Sequence, residues 1–401
     1  MRFLPAVRPV AVALLCSLSL ATHAAPYTPK SDSEVVERLP LTSDPSVRRV
    51  ESLRKQLAAR PEDAALRVEI ARRYFELAMA QGDPRFVGYA SAAIAPLAAN
   101  STSADYWLVR GQIQQFSHDF EAALTSLAKA SELNPASPEP LSWRTAIFMV
   151  QARYVEALAE AERLTPLAEP LLGIGWKAYV RATTGQLEAA FQEVANAVKP
   201  APNSAARPPA PELLLWQYTR LADMAWRLQR PELAEDYFKR ARQLGLTDQY
   251  LLGAYADFLL ARQRPAEVLK LLAGWERSDI LLLRLALAGK AASDGRATDW
   301  AAQLRDRFQA AEQRGDRLHE QEAARFELDI ERNTAKALTL ATRNYQSQKE
   351  PRDAEILLRA ALAANQAKAA QPALAWLRNS RYEDPLIGKL AEQLAAQGAT
   401  R

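Results

Sequence analysis

The residue types that most often carry catalysis or bind metals are rare in this sequence. Three of its 401 residues are His and one is Cys. His118 lies in a break between two helical patterns, and His319 is followed by Glu320 and Glu322. Metal sites and activated nucleophiles commonly need His or Cys at close spacing, and this arrangement is not the two-histidine zinc motif of a helix. We predict no catalytic residue and no metal site, and we interpret both histidines as surface or helix-packing residues.

Paired carboxylates and a short glycine pair complete the candidates for chemistry. Glu34 and Glu37 are three residues apart, but solvated helix faces carry many such pairs, so a charged surface explains them better than an acid–base pair. Gly173 and Gly175 lack the preceding strand and the third glycine that a phosphate-binding loop requires. Local flexibility or close helix packing explains these glycines better. We therefore predict no cofactor.

The charge balance excludes several partner classes. The chain has 51 Lys and Arg against 47 Asp and Glu, a net charge of +4 at pH 7. The two signs are interleaved, and no dense basic block occurs. Nucleic-acid binding proteins usually carry a basic patch or stripe. We therefore predict no nucleic-acid binding and no attachment to an anionic membrane.

Residues 1–24 have the layout of a secretory signal peptide. Arg2 and Arg8 precede an apolar run over residues 10–20, and small residues follow it. This run is too short for a bilayer span, which needs about 20 residues. We predict cleavage near Ala24 and an exported, periplasmic, soluble chain without a transmembrane segment. Cys16 lies in the apolar run, so the mature chain is expected to contain no disulfide.

Residues 104–135 show how the rest of the chain is organised. Trp107 and Gly111 are four residues apart, and apolar residues from Phe120 to Ala130 recur every three or four positions, which is a helical spacing. The polar break at residues 117–119 separates two helices. The composition, 49% hydrophobic with only 14 Gly, also favours packed helices over a sheet.

The pattern recurs at a fixed interval along the chain. Tyr154 follows Phe120 at an interval of about 34 residues. The Ala-Asp and Gln-Arg-Pro motifs of residues 222–231 recur in residues 256–265 at the same interval. This interval of about 34 residues, the aromatic residue, the small residue four positions later and the closing Pro135 resemble the tetratricopeptide (TPR) repeat. Residues 82–90 are also similar to a stretch of exported, poorly characterised bacterial TPR proteins.

The resemblance implies an all-α fold. It implies a right-handed α-solenoid of about eight to nine antiparallel helix pairs, a TPR-like superhelix, because one helix pair cannot bury its apolar face alone. We assign residues 25–43 to a flexible N-terminal tether and 44–401 to the superhelix. A Pro-rich insertion is predicted at 199–211 and a C-terminal capping helix at 384–397.

In TPR proteins the first helix of each pair lines a concave surface. The resemblance places nine residues there: Trp143, Trp176, Trp216, Arg220, Asp223, Trp226, Arg227, Tyr250 and Asp257. A tryptophan has about 150–250 Å² of side-chain surface, so four of them exposed in an empty groove would need an explanation. Either a ligand covers them, or tight curvature of the superhelix buries them. Asp223 and Asp257 either bind a partner or pair with arginines on their own helices.

These observations favour a non-catalytic, exported scaffold that binds a protein or peptide partner through its concave face. The alternative is a small-ligand or glycan-binding solenoid with a Trp-lined inner groove. An enzyme is a third class, and it would require a deep pocket with two convergent titratable groups. The identity of the partner is not encoded in any motif that we find.

Overall fold

The secondary structure is entirely helical in the part of the chain that the computed structural model describes, which is Ser31 and residues 44–97, 101–199 and 208–399. The predicted all-α class is confirmed. The α-helices are α1 Pro45–Ala59, α2 Ala64–Gln81, α3 Arg85–Ile94, α4 Ala104–Phe116, α5 Phe120–Leu133, α6 Glu139–Val150, α7 Tyr154–Leu164, α8 Pro170–Thr183, α9 Leu187–Ala197, α10 Pro211–Arg227, α11 Pro231–Gln243, α12 Gln249–Ala261, α13 Pro265–Leu271, α14 Asp279–Ala292, α15 Ala297–Gln313, α16 Glu320–Phe326, α17 Thr334–Ser347, α18 Pro351–Ala363, α19 Gln371–Ser380 and α20 Pro385–Ala399. A π-helical turn, Glu327–Glu331, extends α16.

The predicted signal peptide, nearly all of the predicted tether and most of the predicted Pro-rich insertion lie outside the described residues. The chain divides between Ser43 and Asp44, and Asp44–Arg401 forms one compact unit. No helix of the described residues combines the length and the apolar character needed to cross a membrane.

Helix starts use the residues expected from their chemistry. The Asp44 carboxylate accepts a hydrogen bond from Ser46 N at 2.8 Å, and Pro45 occupies the first position of α1. Asp248 caps α12 in the same way, through Leu251 N at 2.7 Å. These side chains satisfy backbone N–H groups that have no partner within the helix.

One turn conformation recurs between paired helices. The residue two positions before the second helix has a positive φ between 58° and 79° in six turns. In the turn before α17 this residue is Arg332, and Asn333 after it donates its N–H to Glu327 O, six residues back. The other five turns share one hydrogen-bond pattern, and their residues with positive φ are His118, Ala152, Gly185, Gln229 and Gln263. The next residue donates its N–H to the carbonyl five residues back, as Asp119 does to Gln114 at 2.9 Å. This is a helix-ending motif with a left-handed residue. Successive turns are about 34 residues apart, except that the interval from Gly185 to Gln229 is longer and contains the predicted Pro-rich insertion.

Helices α2–α19 form nine consecutive pairs in the described chain, α2 with α3 through to α18 with α19, and α1 and α20 flank them. Small buried residues such as Ala123, Ala157 and Ala190 allow the helix axes to come close. Leu127, Ile147 and Leu164 fill the space between pairs and are fully buried. Burying each such side chain contributes about 1.5–3 kcal/mol.

The C-terminal pairs also contact the middle of the solenoid. The contacts are Lys349 N–H to Val150 O at 2.7 Å, Trp376 Nε1–H to Tyr154 Oη at 2.7 Å, Leu187 N–H to Glu383 Oε2 at 2.6 Å and Arg227 Nε–H to Glu383 O at 3.0 Å. Near the N-terminal end of the superhelix, Gly82 lies against Gln249 at the start of α12. The superhelix therefore folds back on itself instead of forming an open trough.

Candidate ligand site inside the solenoid

Closure of the solenoid leaves two adjoining cavities on its inner side. Their volumes are about 640 Å³ and about 330 Å³. Side chains of the even-numbered helices, the first of each pair, form most of both walls, and four residues line both cavities: Tyr250, Gln321, Glu350 and Arg352. Cavities of about 300–1,000 Å³ are typical of ligand sites.

Seven of the nine residues predicted for the inner face line a cavity. Trp143 lines the larger one, Tyr250 lines both, and the smaller one is lined by Arg220, Asp223, Trp226, Arg227 and Asp257. Trp176 and Trp216 line neither of the two cavities. Their rings pack on each other at 4.8 Å, and Trp176, which is 9% exposed, donates its Nε1–H to Ser142 Oγ at 2.8 Å. These two tryptophans therefore contribute to packing between repeats.

Asp257 is the centre of an arginine cluster. Its carboxylate accepts hydrogen bonds from Arg284 at 2.7 Å and from Arg325 at 2.8 Å, and Arg352 lies 4.0 Å away. Burial by itself raises the pKa of Asp257, but the three arginines outweigh it and lower that pKa well below its ordinary value. The sequence suggested a partner on the same helix, whereas the actual partners come from later helix pairs.

Arg227 has a structural role. It is 4% exposed, and its guanidinium lies 3.9 Å from the centre of the Tyr382 ring. Its Nη2–H donates to Ala182 O at 2.6 Å, while Asp223 lies 3.6 Å from its Nη1. Arg227 thus connects the middle repeats to the C-terminal ones, and Asp223 forms the pair on its own helix that the sequence suggested.

Arg220 and Arg352 have fewer partners than their neighbours. Arg220 Nη1–H donates to Tyr250 Oη at 3.2 Å, and its guanidinium lies 3.7 Å from the centre of the Tyr179 ring. Its buried Nε–H has no hydrogen-bond acceptor among the described residues. Arg352 lies 5.2 Å from the Tyr250 ring centre. These two cations are therefore the ones available to a ligand.

Both histidines line the larger cavity. His118 Nδ1 lies 3.4 Å from Gln348 Nε2, and its ring packs 5.6 Å from Phe120. Burial, followed by the neighbouring His319, lowers the pKa of His118. His319 Nδ1 lies 3.9 Å from Glu322 Oε2. At neutral pH the cavity wall therefore includes an uncharged His118.

Asp353 is a buried carboxyl at the start of α18. It accepts hydrogen bonds from Asn344 Nδ2 at 2.7 Å, Gln321 Nε2 at 3.1 Å and Glu350 N at 2.9 Å, the last as part of a capping box. Burial, together with the nearby Glu350 carboxylate, raises the pKa of Asp353 to about 7. These three hydrogen bonds fix the orientation of the carboxyl, which lines the wall of the larger cavity.

Comparisons with known proteins give little sequence similarity. No protein-family model and no curated protein sequence matches the chain. Among solved structures, the chain is similar to a Rap protein complexed with competence and sporulation factor (15% identity, 87% of this chain and 99% of that chain, TM-score 0.45). It is also similar to yeast Tom70 (11%, 88% and 85%, TM-score 0.42) and to the TPR domain of P58(IPK) (12%, 88% and 98%, TM-score 0.23).

The repeated turn decides the fold class independently of these similarities. The five left-handed turns recur at intervals of about 34 residues, apart from the one interval that contains the insertion, and each joins two helices of a pair. The chain has a TPR-type fold. In this TPR solenoid the first helices line the interior, as the sequence resemblance implied.

The sequence analysis missed the arginines of the C-terminal half of the TPR solenoid, namely Arg284, Arg325, Arg352 and Arg359. The repeat pattern loosens after residue 275, so the assignment of inner positions ended at Asp257. One signal was present for Arg284: it is a single charge within the apolar run of residues 280–289, and such a residue must be paired when it is buried.

Aromatic, charged and amide side chains are prominent in the walls of the two cavities. No Ser or Cys lines either of the two cavities, and within the described ranges no group of three His, Cys, Asp or Glu is arranged to hold a metal ion. The larger cavity does hold several titratable groups, which an enzyme would require. His118 and Asp353 form hydrogen bonds within the protein, and His319 lies 3.9 Å from Glu322, so all three side chains belong to the wall of the TPR solenoid.

Proposed function

We propose that the protein is a non-catalytic scaffold that takes a segment of a protein or peptide partner into the interior of the solenoid. The observation that carries the proposal is the closure of the superhelix around two adjoining cavities of about 640 Å³ and 330 Å³. Their walls combine aromatic rings with charged groups. Arg220 has a buried N–H without an acceptor among the described residues, and the nearest carboxylate oxygen to Arg352 is 4.0 Å away. Concave sites with a few well-placed polar groups are typical of ligand recognition.

The proposal includes export to the periplasm. It is supported by the two arginines, the apolar run and the small residues that begin the sequence. Fractionation of cells that express the full chain, with N-terminal sequencing of the exported form, tests it. An N-terminus at Ala25 in the periplasmic fraction is the expected result, and an uncleaved chain in the cytoplasm would contradict it.

Tyr250 provides the test of the binding site, because its ring lies at the junction of the two cavities and is 41% exposed. The chain from Ala25 is used to capture partners from a periplasmic extract, and the captured protein is then titrated. We expect Tyr250→Ala to weaken binding about tenfold or more, since aromatic residues at interface centres often contribute above about 1.4 kcal/mol.

The matched control is Tyr89→Ala. Tyr89 is 52% exposed on α3 and lines neither of the two cavities. It should leave binding unchanged, and circular dichroism should show that both variants are folded. If Tyr250→Ala binds as tightly as the wild type, the interior is not the binding site and the proposal fails.

The volumes of the cavities also favour a second candidate, a small ligand. Their size alone suits a small molecule. A glycan platform is less well supported, because Trp176 and Trp216 pack against each other. A panel of small acids, amines and oligosaccharides in a thermal-shift assay distinguishes the candidates. Stabilisation by one compound that Tyr250→Ala abolishes, without any captured protein, would replace the peptide proposal.

A further inference from the structure

Charged groups without a close partner of opposite charge line both cavities, and Glu350 and Arg352 belong to both walls. The smaller cavity is lined by six arginines and five carboxylates. Four of the six arginines pair with carboxylates at 3.6 Å or less: Arg227 with Asp223, Arg284 and Arg325 with Asp257, and Arg359 with Asp329. Arg220 and Arg352 are the exceptions. Among the described residues, neither has a carboxylate oxygen within hydrogen-bond distance, and the nearest to Arg352 is Asp257 Oδ2 at 4.0 Å.

These two arginines share one tyrosine ring. The guanidinium of Arg220 lies 5.3 Å from the centre of the Tyr250 ring, and that of Arg352 lies 5.2 Å from it. A guanidinium presents five N–H donors in a planar fork that matches a carboxylate. The Asp257 carboxylate is already bonded to Arg284 and Arg325, so it does not satisfy Arg352. An anion that reaches both guanidiniums would accept hydrogen bonds from both arginines.

The larger cavity has the opposite imbalance. Three of its carboxyl groups, Asp248, Glu350 and Asp353, have no cation within 4.0 Å in the part of the chain that is described. Burial raises the pKa of Asp248 and that of Asp353, so a nearby ammonium group would stabilise their ionised forms. Aromatic rings of Trp143 and Tyr250 line the same space. Carboxylates and aromatic faces together are the partners that an ammonium group prefers.

We infer that the interior binds a dipolar ligand, a short peptide with both termini free, whose carboxylate lies between Arg220 and Arg352 and whose ammonium group lies in the larger cavity. This inference rests on the proposed function, since it gives the chemical class of the bound segment. The planar donor fork of a guanidinium matches the two oxygens of a carboxylate, so a carboxylate is the anion assigned to this position. Tyr250, which lines both cavities, contacts the middle of the peptide.

The test uses a mixture of tetrapeptides prepared in four forms: unmodified, C-terminally amidated, N-terminally acetylated, and blocked at both ends. Each mixture is incubated with the chain from Ala25, and retained peptides are measured by ultrafiltration and mass spectrometry. We expect retention of the unmodified form to fall about tenfold or more with either single block. The comparison is made on the wild-type protein, so it does not depend on the folding of a variant.

Arginine variants then assign the carboxylate end. Arg352→Gln and Arg220→Gln should bring the retention ratio of unmodified to amidated peptide close to one, while the effect of acetylation remains. Arg352→Lys keeps the charge without the planar fork and should give an intermediate ratio. Arg242→Gln is the control, because Arg242 is exposed on α11 and lines neither of the two cavities; it should behave as the wild type.

Three outcomes would overturn the inference. Equal retention of all four forms would show that the termini are not recognised. An unchanged retention ratio of unmodified to amidated peptide in folded Arg352→Gln and Arg220→Gln would show that the carboxylate does not bind to these arginines. Retention of none of the forms, with partner capture still dependent on Tyr250, would refute the inference and leave the proposed function in place. If Tyr250→Ala does not weaken partner capture, both this inference and the proposed function are refuted.

Discussion

Replacing Asp257 by Asn should destabilise the C-terminal half of the solenoid, because the carboxylate neutralises a buried cation. Arg284 is 2% exposed, and its Nε–H and Nη2–H donate to Asp257 Oδ2 at 3.2 Å and 2.7 Å. Arg325 binds the other carboxylate oxygen at 2.8 Å. An asparagine keeps one acceptor but leaves the arginines without their shared counter-charge.

The expected loss follows from the cost of an uncompensated buried charge. Removing one partner of a buried ion pair costs about 3–5 kcal/mol, and the remaining amide oxygen places this variant near about 3 kcal/mol. Globular proteins unfold with an entropy of about 2.1 cal/mol/K per residue. If the unit Asp44–Arg401 unfolds cooperatively, a loss of about 3 kcal/mol lowers its melting temperature by roughly 4 °C. If groups of helix pairs unfold separately, the melting temperature of the group that contains Asp257 should fall by more than this.

Asp223→Asn is the matched control. Asp223 occupies the same position one repeat earlier, but its side chain is 42% exposed. Its partner Arg227 lies 3.6 Å away and keeps the carbonyls of Ala182 and Glu383 as acceptors. We expect a loss below about 1 kcal/mol. Circular dichroism melts at pH 7 compare the two, and equal shifts, or a change under about 1 °C for Asp257→Asn, would refute the reasoning.

The pH dependence supplies a second check on Asp257. Its pKa is lower in the folded chain than in the unfolded chain, where Asp titrates near about 3.9. The stabilisation is therefore fully present at neutral pH and is lost as the pH falls below about 4 towards the folded pKa. The stability difference between the wild type and Asp257→Asn should be constant from pH 6 to 8 and should shrink in acid.

Three further predictions concern single contacts. The pKa of Asp353 is raised to about 7 in the fold, so its contribution to stability is present at about pH 4 and is lost as the pH rises through about 7; Asp353→Asn should flatten the decline of the melting temperature between pH 5 and 8. Trp376→Phe removes the 2.7 Å hydrogen bond to Tyr154 and should cost about 1–3 kcal/mol in urea unfolding, because it leaves a half-buried hydroxyl without that donor. The cost should exceed that of Trp300→Phe, since Trp300 is a buried tryptophan of α15 that packs against the Arg296 guanidinium. Gly388→Ala should stabilise the chain by about 0.5–1 kcal/mol in the same assay, because Gly388 lies within α20 and a Cβ there meets no atom within 4 Å.

The fold was predictable because the repeat is local. Phe120 and Tyr154 begin the second helices of successive pairs, and the residue two positions before each has a positive φ. A helix pair is formed by contacts within about 34 residues, so its pattern of apolar residues and turns is written in one continuous stretch.

The site was predictable only as far as the repeat could be followed. Counting inner positions reached Arg220, Tyr250 and Asp257, which line the cavities. It could not separate Trp176, which packs on Trp216, from residues that face the interior. It also missed Arg352, because neither the irregular C-terminal pairs nor their proximity to Tyr250 is visible in the repeat pattern.

The contacts that make the interior a cavity join residues far apart in sequence. Trp376 and Tyr154 are separated by 222 residues, and Leu187 and Glu383 by 196. Each contact results from small rotations added over several helix pairs. A slight change in the rotation of each pair would therefore separate the C-terminal pairs from the middle of the solenoid without altering any local pattern. Local sequence therefore specifies that this chain is a solenoid, while the accumulated curvature determines whether its charged inner face is an exposed trough or a recessed site. The binding chemistry proposed for Arg220 and Arg352 depends on the second property, because they reach one tyrosine only when α10, α12 and α18 are brought together.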